Sequence, residues 1–200
     1  MSFIVGLTGG IGCGKSSASV LFANFGIDII DTDEIARELT QSEGPVIIKI
    51  RKEFGDVYIT ADGALDRNQM RQLVFSDKSS RKKLEIILHP FILNEATRRA
   101  KLICSPYAIM VIPLLFETND YDKIIHRRLV IDCDEKNQIA RTMQRSKLSE
   151  EEVRAIMATQ ISRQKRLQQT DDVIVNNYDL AYLHQQVNKY HQKYLNLAKS

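Results

Sequence analysis

Five short segments of the 200-residue chain are rich in Val, Ile and Leu and nearly free of charge: Phe3 to Leu7, Ile27 to Ile30, Tyr107 to Ile112, Leu129 to Ile131 and Val173 to Val175. Gly, Pro, Asp or Asn bounds each of them, which reads as strand punctuation. A strand with one wet face alternates polar and apolar residues; these run continuously, so both faces are covered, as in parallel sheets flanked by helices. The expected fold class is α/β, a three-layer core on about five parallel strands.

Between the second and third segments lie some seventy residues with no strand pattern, more than one crossover helix needs. An inserted helical lobe over 34–105 accounts for them. Within it Val46 to Phe54, Asp66 to Phe75, Ser79 to Leu88 and Phe91 to Ile103 carry apolar residues at helical spacing. Pro90 disfavours a helical His89, so a bend is expected between the last two. After the fourth strand, 133–170 predicts a second helical insertion: Glu135 to Arg145, then Glu150 to Arg166 opened by a Ser149/Glu152 capping box. No acid occurs from Val153 to Thr170, so Arg154, Arg163, Lys165 and Arg166 predict an electropositive surface. From about Asp179, Leu180, Leu183, Val187, Tyr190, Tyr194 and Leu197 form the stripe of a packing helix. The remaining stretches, 1–33, 106–132 and 171–200, make the core.

Composition narrows the function. Hydrophobic residues at 44% fill a sizeable core, and 28 basic against 25 acidic residues leave a formal charge of only +3. That is little for a protein that neutralises many nucleic-acid phosphates, so no nucleic acid is expected as partner. Cys13, Cys104 and Cys133 are odd in number and widely spaced, which favours a reducing cytoplasm. The longest apolar run, Tyr107 to Phe116, is short of the ~20 residues that span a bilayer, so no membrane association is expected.

Chemistry concentrates after the first strand. Gly9 to Ser16, GGIGCGKS, fits G-x-x-x-x-G-K-[ST] between a strand and a helix. Such a loop turns consecutive N–H groups onto phosphates, with Lys15 reaching the β- and γ-phosphates and Ser16 placed to ligate Mg²⁺. Cys13 reads either as an activated thiol or as a small filler. The second strand ends in Asp31-Thr32-Asp33; if the extended backbone continues, both carboxylates point one way, and Asp33 reads as helix cap or as acceptor of a hydroxyl proton. Gln138, Arg141 and Arg145 share a helix face suited to a triphosphate; Arg67 and Arg71 read equally as groups for an anionic substrate or as a solvated helix face, whereas His89, which could bond a substrate hydroxyl or cap its helix, reads first as structure. N-K-x-D and D-x-x-G motifs are missing, which argues against a GTPase switch. A small-molecule kinase fits, and another nucleoside or nucleotide kinase or a nucleotide-binding switch stands as the alternative.

These motifs together resemble one family. IVGLTGGIGCGKS at the start, DTDEIAREL after strand two, GALDR at Gly63 to Arg67, LHP at Leu88 to Pro90, IPLLFE at Ile112 to Glu117, QIARTMQR in the second insertion and DDVIVNN at Asp171 to Asn177 are similar in order and kind to the dephospho-coenzyme A kinases. The resemblance implies phosphorylation, at the expense of ATP with Mg²⁺, of the ribose 3′-hydroxyl of dephospho-coenzyme A. It also implies a substrate-binding insertion and a lid. Asp33, Lys15 and Arg141 would be catalytic. Gly10, Gly12, Cys13, Gly14, Lys15, Ser16, Ser17, Arg145 and Asn177 would bind ATP, and Thr8, Asp33, Arg67 and His89 the acceptor. Two departures are visible: Cys13 where serine is common, and Tyr178 where glycine often follows the asparagine pair.

Overall fold

The computed structural model describes residues 3–118 and 120–199. Its five strands are β1 (Phe3–Gly9), β2 (Asp28–Asp31), β3 (Tyr107–Val111), β4 (Arg127–Asp132) and β5 (Asp172–Val175), all parallel, in the order β2-β3-β1-β4-β5. In register, Val5 lies opposite Ile109 on one side and Arg127 on the other. The strand order reverses at β1, and the crevice at the carboxyl end of such a switch point is where open α/β sheets take their ligands.

The continuous apolar runs are buried on both faces. Val5, Leu7, Ile109, Leu129, Ile131 and Ile174 pack with Ala18 and Phe22 of α1 (Lys15–Asn24) and with Leu183, Val187 and Tyr194 of α9 (Leu180–Leu197). On the other face a side chain at Gly6 would meet Ile125 and Leu115. Of the predicted stripe on the last helix, Leu180 alone is strongly exposed, at 63%. Buried Asp172 anchors the far edge, accepting from Arg127 Nε at 2.5 Å, Lys193 Nζ at 2.6 Å and Tyr194 OH at 3.1 Å. A buried carboxylate is costly unless paired in this way.

The chain divides into two units, Met1–Asp31 with Arg99–Ser200, and Thr32–Arg98. The second is helical: α2 (Thr32–Leu39), α3 (Ile47–Phe54), a 3₁₀ turn (Asp56–Tyr58), α4 (Arg67–Ser76) and most of α5 (Lys78–Ala100). It has a core of its own, in which Val46, Ile47, Ile50, Leu65 and Met70 pack with Phe54, Leu84, Ile87 and Phe91. Asp66 caps α4 by accepting the N–H groups of Asn68 and Gln69.

Three expectations need correction. Pro90 lies inside one continuous helix, α5, so His89 is helical and the expected bend is not there. Proline deletes a single bond, to the carbonyl four residues back, and that residue, Ile86, is 64% exposed and within reach of water. The expected helix from Glu150 to Arg166 is two, α7 (Glu150–Ala158) and α8 (Arg163–Gln168), because Ser162 caps a new start by accepting from Lys165 N. The Ser149/Glu152 capping box is formed as expected. Thirdly, α2 begins at Thr32, so extended backbone stops at Asp31. Residues two apart no longer point the same way once the helix begins, and Asp33 sits within the first turn rather than at a cap.

Candidate active site

Gly9 ends β1, and the chain turns through residues 10–14 into α1, with Cys13 N–H donating to the Gly10 carbonyl at 3.2 Å. Two glycines make this path possible. Gly14 has φ +96° and Gly12 φ +73°, in the left-handed region that other residues avoid. A Cβ at Gly14 would stand 2.3 Å from Asn176 Nδ2, and one at Gly12 2.5 Å from the Gln138 carbonyl oxygen and 2.6 Å from Thr142 Oγ1. No described side chain caps α1, and a helix start draws anions through its unpaired N–H groups and dipole. Lys15 Nζ donates to the carbonyls of Gly9 (2.8 Å) and Gly10 (3.2 Å), holding its charge against the loop. Ser16 and Ser17 are exposed on the first turn.

Residues from the ends of β4 and β5 enclose this loop. On α6 (Glu135–Ser146), buried Gln138 and Thr142 face it, Gln138 Nε2 donating to the Cys133 carbonyl at 3.1 Å. Asn176, just past β5, donates Nδ2 to the Cys13 carbonyl at 2.8 Å, and its own carbonyl accepts from Arg141 Nη1 at 2.9 Å. Asn177 Oδ1 accepts from Asp134 N at 2.8 Å, and Arg145, one turn beyond Arg141, is exposed. Ile11 N–H donates to Gln160 Oε1 at 3.1 Å, and the next backbone N–H, of Ile161, donates to Glu117 Oε1 at 3.0 Å. These two ties occupy the break between α7 and α8.

Of the four basic residues expected to make an electropositive surface beyond Val153, two are paired with acids and a third, Arg166, is buried. Arg163 grips buried Asp132 at 2.6–3.1 Å, Arg154 pairs with Glu150 and Glu135, and buried Arg166 donates to the Ile161 carbonyl. The acids lie outside the window that contained none, so a local count overstates the field.

A glycine-rich loop closed over by a helical segment is common to many phosphotransferases, and similarity decides among them. The sequence pattern of the dephospho-CoA kinase family matches residues 3–181. The chain belongs to this family. A dephospho-CoA kinase of Nitrosomonas europaea is 57% identical over 199 residues, covering 100% of this chain and 98% of that protein. A solved dephospho-CoA kinase from Campylobacter jejuni is 29% identical with a TM-score of 0.69, covering 96% of this chain and 97% of its own. A crystal structure of a Thermus thermophilus protein superposes with a TM-score of 0.81 at 28% identity, again over 96% and 97%.

Within this family member the candidate residues fall in both units. Thr8, the glycine loop, Arg141, Arg145 and Asn177 belong to the sheet unit, where buried Thr8 donates its hydroxyl to the Pro113 carbonyl at 3.2 Å. Asp33, Arg67 and His89 belong to the helical unit. There Arg67 Nη2 donates to Thr40 Oγ1 at 2.6 Å and to the Arg37 carbonyl at 3.0 Å, while His89 is half-buried on α5. Gln160, Thr142, Asn176 and Glu117 line or brace the loop without having been singled out as site residues. Asn176, Glu117 and Thr142 stand inside motifs of the family resemblance, DDVIVNN, IPLLFE and QIARTMQR, which was a usable signal; Gln160 carries none.

Proposed function

We propose that the chain transfers the γ-phosphoryl group of ATP to the ribose 3′-hydroxyl of dephospho-coenzyme A, giving coenzyme A and ADP, the last step of coenzyme A synthesis. The observation that carries this reading is the glycine loop braced by Gln160, Gln138 and Asn176, in a chain of this family. Lys15 exchanges a loop carbonyl for a phosphate oxygen and stabilises the charge that spreads over the γ-phosphoryl group. Arg141 and Arg145 add positive charge from α6, and Asn177 belongs to the nucleotide side. The loop backbone at Gly10, Gly12, Cys13 and Gly14, with Lys15, Ser16 and Ser17, cradles the phosphates.

Among the described residues no three His, Cys, Asp or Glu side chains could hold a metal together. The exposed Ser16 hydroxyl suits Mg²⁺, which takes few protein ligands and completes its shell with phosphates and water. When bound, the ion neutralises the β- and γ-phosphate oxygens. Asp33 orients the acceptor hydroxyl and takes its proton, and Thr8, Arg67 and His89 belong with the acceptor. The insertion, 34–105, then serves the acceptor and 133–170 is the lid. A reducing cytoplasm is the setting in which Cys104, exposed, stays a thiol.

The test is ADP release on incubation with ATP, Mg²⁺ and a panel of dephospho-coenzyme A, nucleosides and nucleotides. Release with dephospho-coenzyme A alone is expected. Release with a nucleoside, and none with dephospho-coenzyme A, overturns the acceptor.

A further inference from the structure

Cys13 and Cys133 are 120 residues apart in the chain and neither reaches solvent, yet their sulfurs lie 3.5 Å from one another. Cys13 is the fifth residue of the glycine loop; Cys133 directly follows β4. The Cys133 thiol donates to Cys13 Sγ, and its sulfur also stands 4.0 Å from the Gly12 carbonyl oxygen. Hydrogen bonding from Cys133 and the charge of Lys15, against the opposing effect of burial, lower the Cys13 thiol to about 7; bonding to Cys13 and burial push the Cys133 thiol up. Two thiols in contact, with Cys133 donating and Cys13 the more acidic of the pair, have the arrangement of a reactive and a resolving cysteine. The flanking Gly12 and Gly14 are half-exposed, so the reactive sulfur is one residue below the surface.

We propose that Cys13 and Cys133 form a site of reversible oxidation, in which hydrogen peroxide converts the two thiols to a disulfide and disables the phosphate loop. The Cys13 thiolate attacks one peroxide oxygen; the O–O bond breaks, leaving Cys13 sulfenic acid and hydroxide. Cys133 sulfur then attacks Cys13 sulfur, the S–O bond breaks, and the departing hydroxyl leaves as water with the Cys133 proton. The two thiols lose two electrons, and peroxide is reduced to water. A small dithiol reductant reverses the change by exchange.

The disulfide acts on the loop through distance. A sulfur–sulfur bond measures about 2.05 Å, so from 3.5 Å the sulfurs close by about 1.5 Å. Cys133 follows a fully paired strand and its carbonyl is held by Gln138. The loop therefore moves, and with it the Cys13 carbonyl that Asn176 holds. A displacement of ~1 Å in a positioning element costs on the order of a hundredfold in rate. The effect on turnover rests on the proposed phosphoryl transfer, whereas the effect on nucleotide binding does not.

The experiment uses the full chain carrying Cys104→Ser, which removes the exposed thiol and with it disulfides between molecules. The protein is titrated with hydrogen peroxide, and the linkage is read by peptide mapping, binding of a fluorescent ATP analogue by titration, and ADP formation with dephospho-coenzyme A. We expect a linked Cys13–Cys133 peptide, at least tenfold weaker analogue binding, a fall in turnover, and recovery of all three with dithiothreitol. In Cys133→Ser, untreated activity stays near the parent's while peroxide takes Cys13 on to the sulfinic acid, which dithiothreitol does not reverse. Absence of the linked peptide overturns the proposal, as does a linked protein that binds the analogue normally. If the linked protein loses binding but the reduced protein never releases ADP, the oxidation site stands and the acceptor reading fails.

Discussion

Gly12→Ala places a methyl group between the phosphate loop and α6. The left-handed backbone at φ +73° costs an alanine ~1–2 kcal/mol. The new Cβ would lie 2.5 Å from the Gln138 carbonyl oxygen and 2.6 Å from Thr142 Oγ1. Ordinary contact begins at 3.4 Å, so loop and helix must part by about 0.9 Å, an overpacking cost of ~1–3 kcal/mol. We expect urea denaturation to show a loss of roughly 2–5 kcal/mol, the sum of the two contributions. In steady-state assays turnover should fall on the order of a hundredfold, because a shift of ~1 Å misplaces every N–H that meets the phosphates. Thr142→Ala added to Gly12→Ala should return only part of the stability. It removes the hydroxyl but not the backbone carbonyl, which cannot rotate away. Thr142 Oγ1 is buried with no hydrogen-bond partner among the described residues, so its loss alone should cost little. A Gly12→Ala protein with parental stability and turnover would refute the close packing of α6 on the loop. Full rescue by Thr142→Ala would show that the helix backbone is not the obstacle.

Three further outcomes are expected. Lys15→Ala should keep the parental circular dichroism spectrum while turnover falls about a hundredfold or more, the loss of one preorganised charge; near-normal turnover removes Lys15 from the mechanism. Asp33→Asn, exposed in the first turn of α2, should leave stability within ~1 kcal/mol, the scale of a helix-end effect. ATP-analogue binding should persist while phosphorylation of dephospho-coenzyme A falls steeply, and transfer near the parental rate would send the search to Asp31. At Asp172, burial alone would raise the carboxyl, but bonds and charge from Arg127 and Lys193 hold it below the usual carboxylate value. A depressed folded value makes its stabilisation complete above the ordinary carboxylate range and lost as pH falls through the folded value. Asp172→Asn should lower neutral stability by roughly 3 kcal/mol, the low end for a broken buried pair because both partners keep some solvent. It should also flatten the acid limb of a stability–pH curve, and an unchanged limb would count against the assignment.

The strands were legible because burial on both faces leaves a continuous apolar run, which depends on no distant partner. The glycine loop was legible for a similar reason: its residue types answer a local need for tight backbone and exposed N–H groups. Misreadings arose where local preference competes with something remote. Pro90 disfavours helix locally, yet α5 runs through it at the loss of one bond. The break between α7 and α8 is fixed by Ser162 and by ties from Gln160 and Ile161 to Ile11 and Glu117, at separations of 149 and 44 residues. No periodicity records such a tie. The same holds for Cys133, unremarkable in sequence until the fold sets it against Cys13.

Asn176 lies 163 residues from the loop carbonyl it holds. A contact of that span closes late, after the loops between its ends have been ordered. During synthesis the glycine loop leaves the ribosome well before β5 does. Until β5 pairs with β4, the Cys13 carbonyl and Arg141 lack their common partner. The shape of the glycine loop is therefore a property of the assembled sheet, and a growing chain bearing the whole motif gains these ties only once β5 has been added.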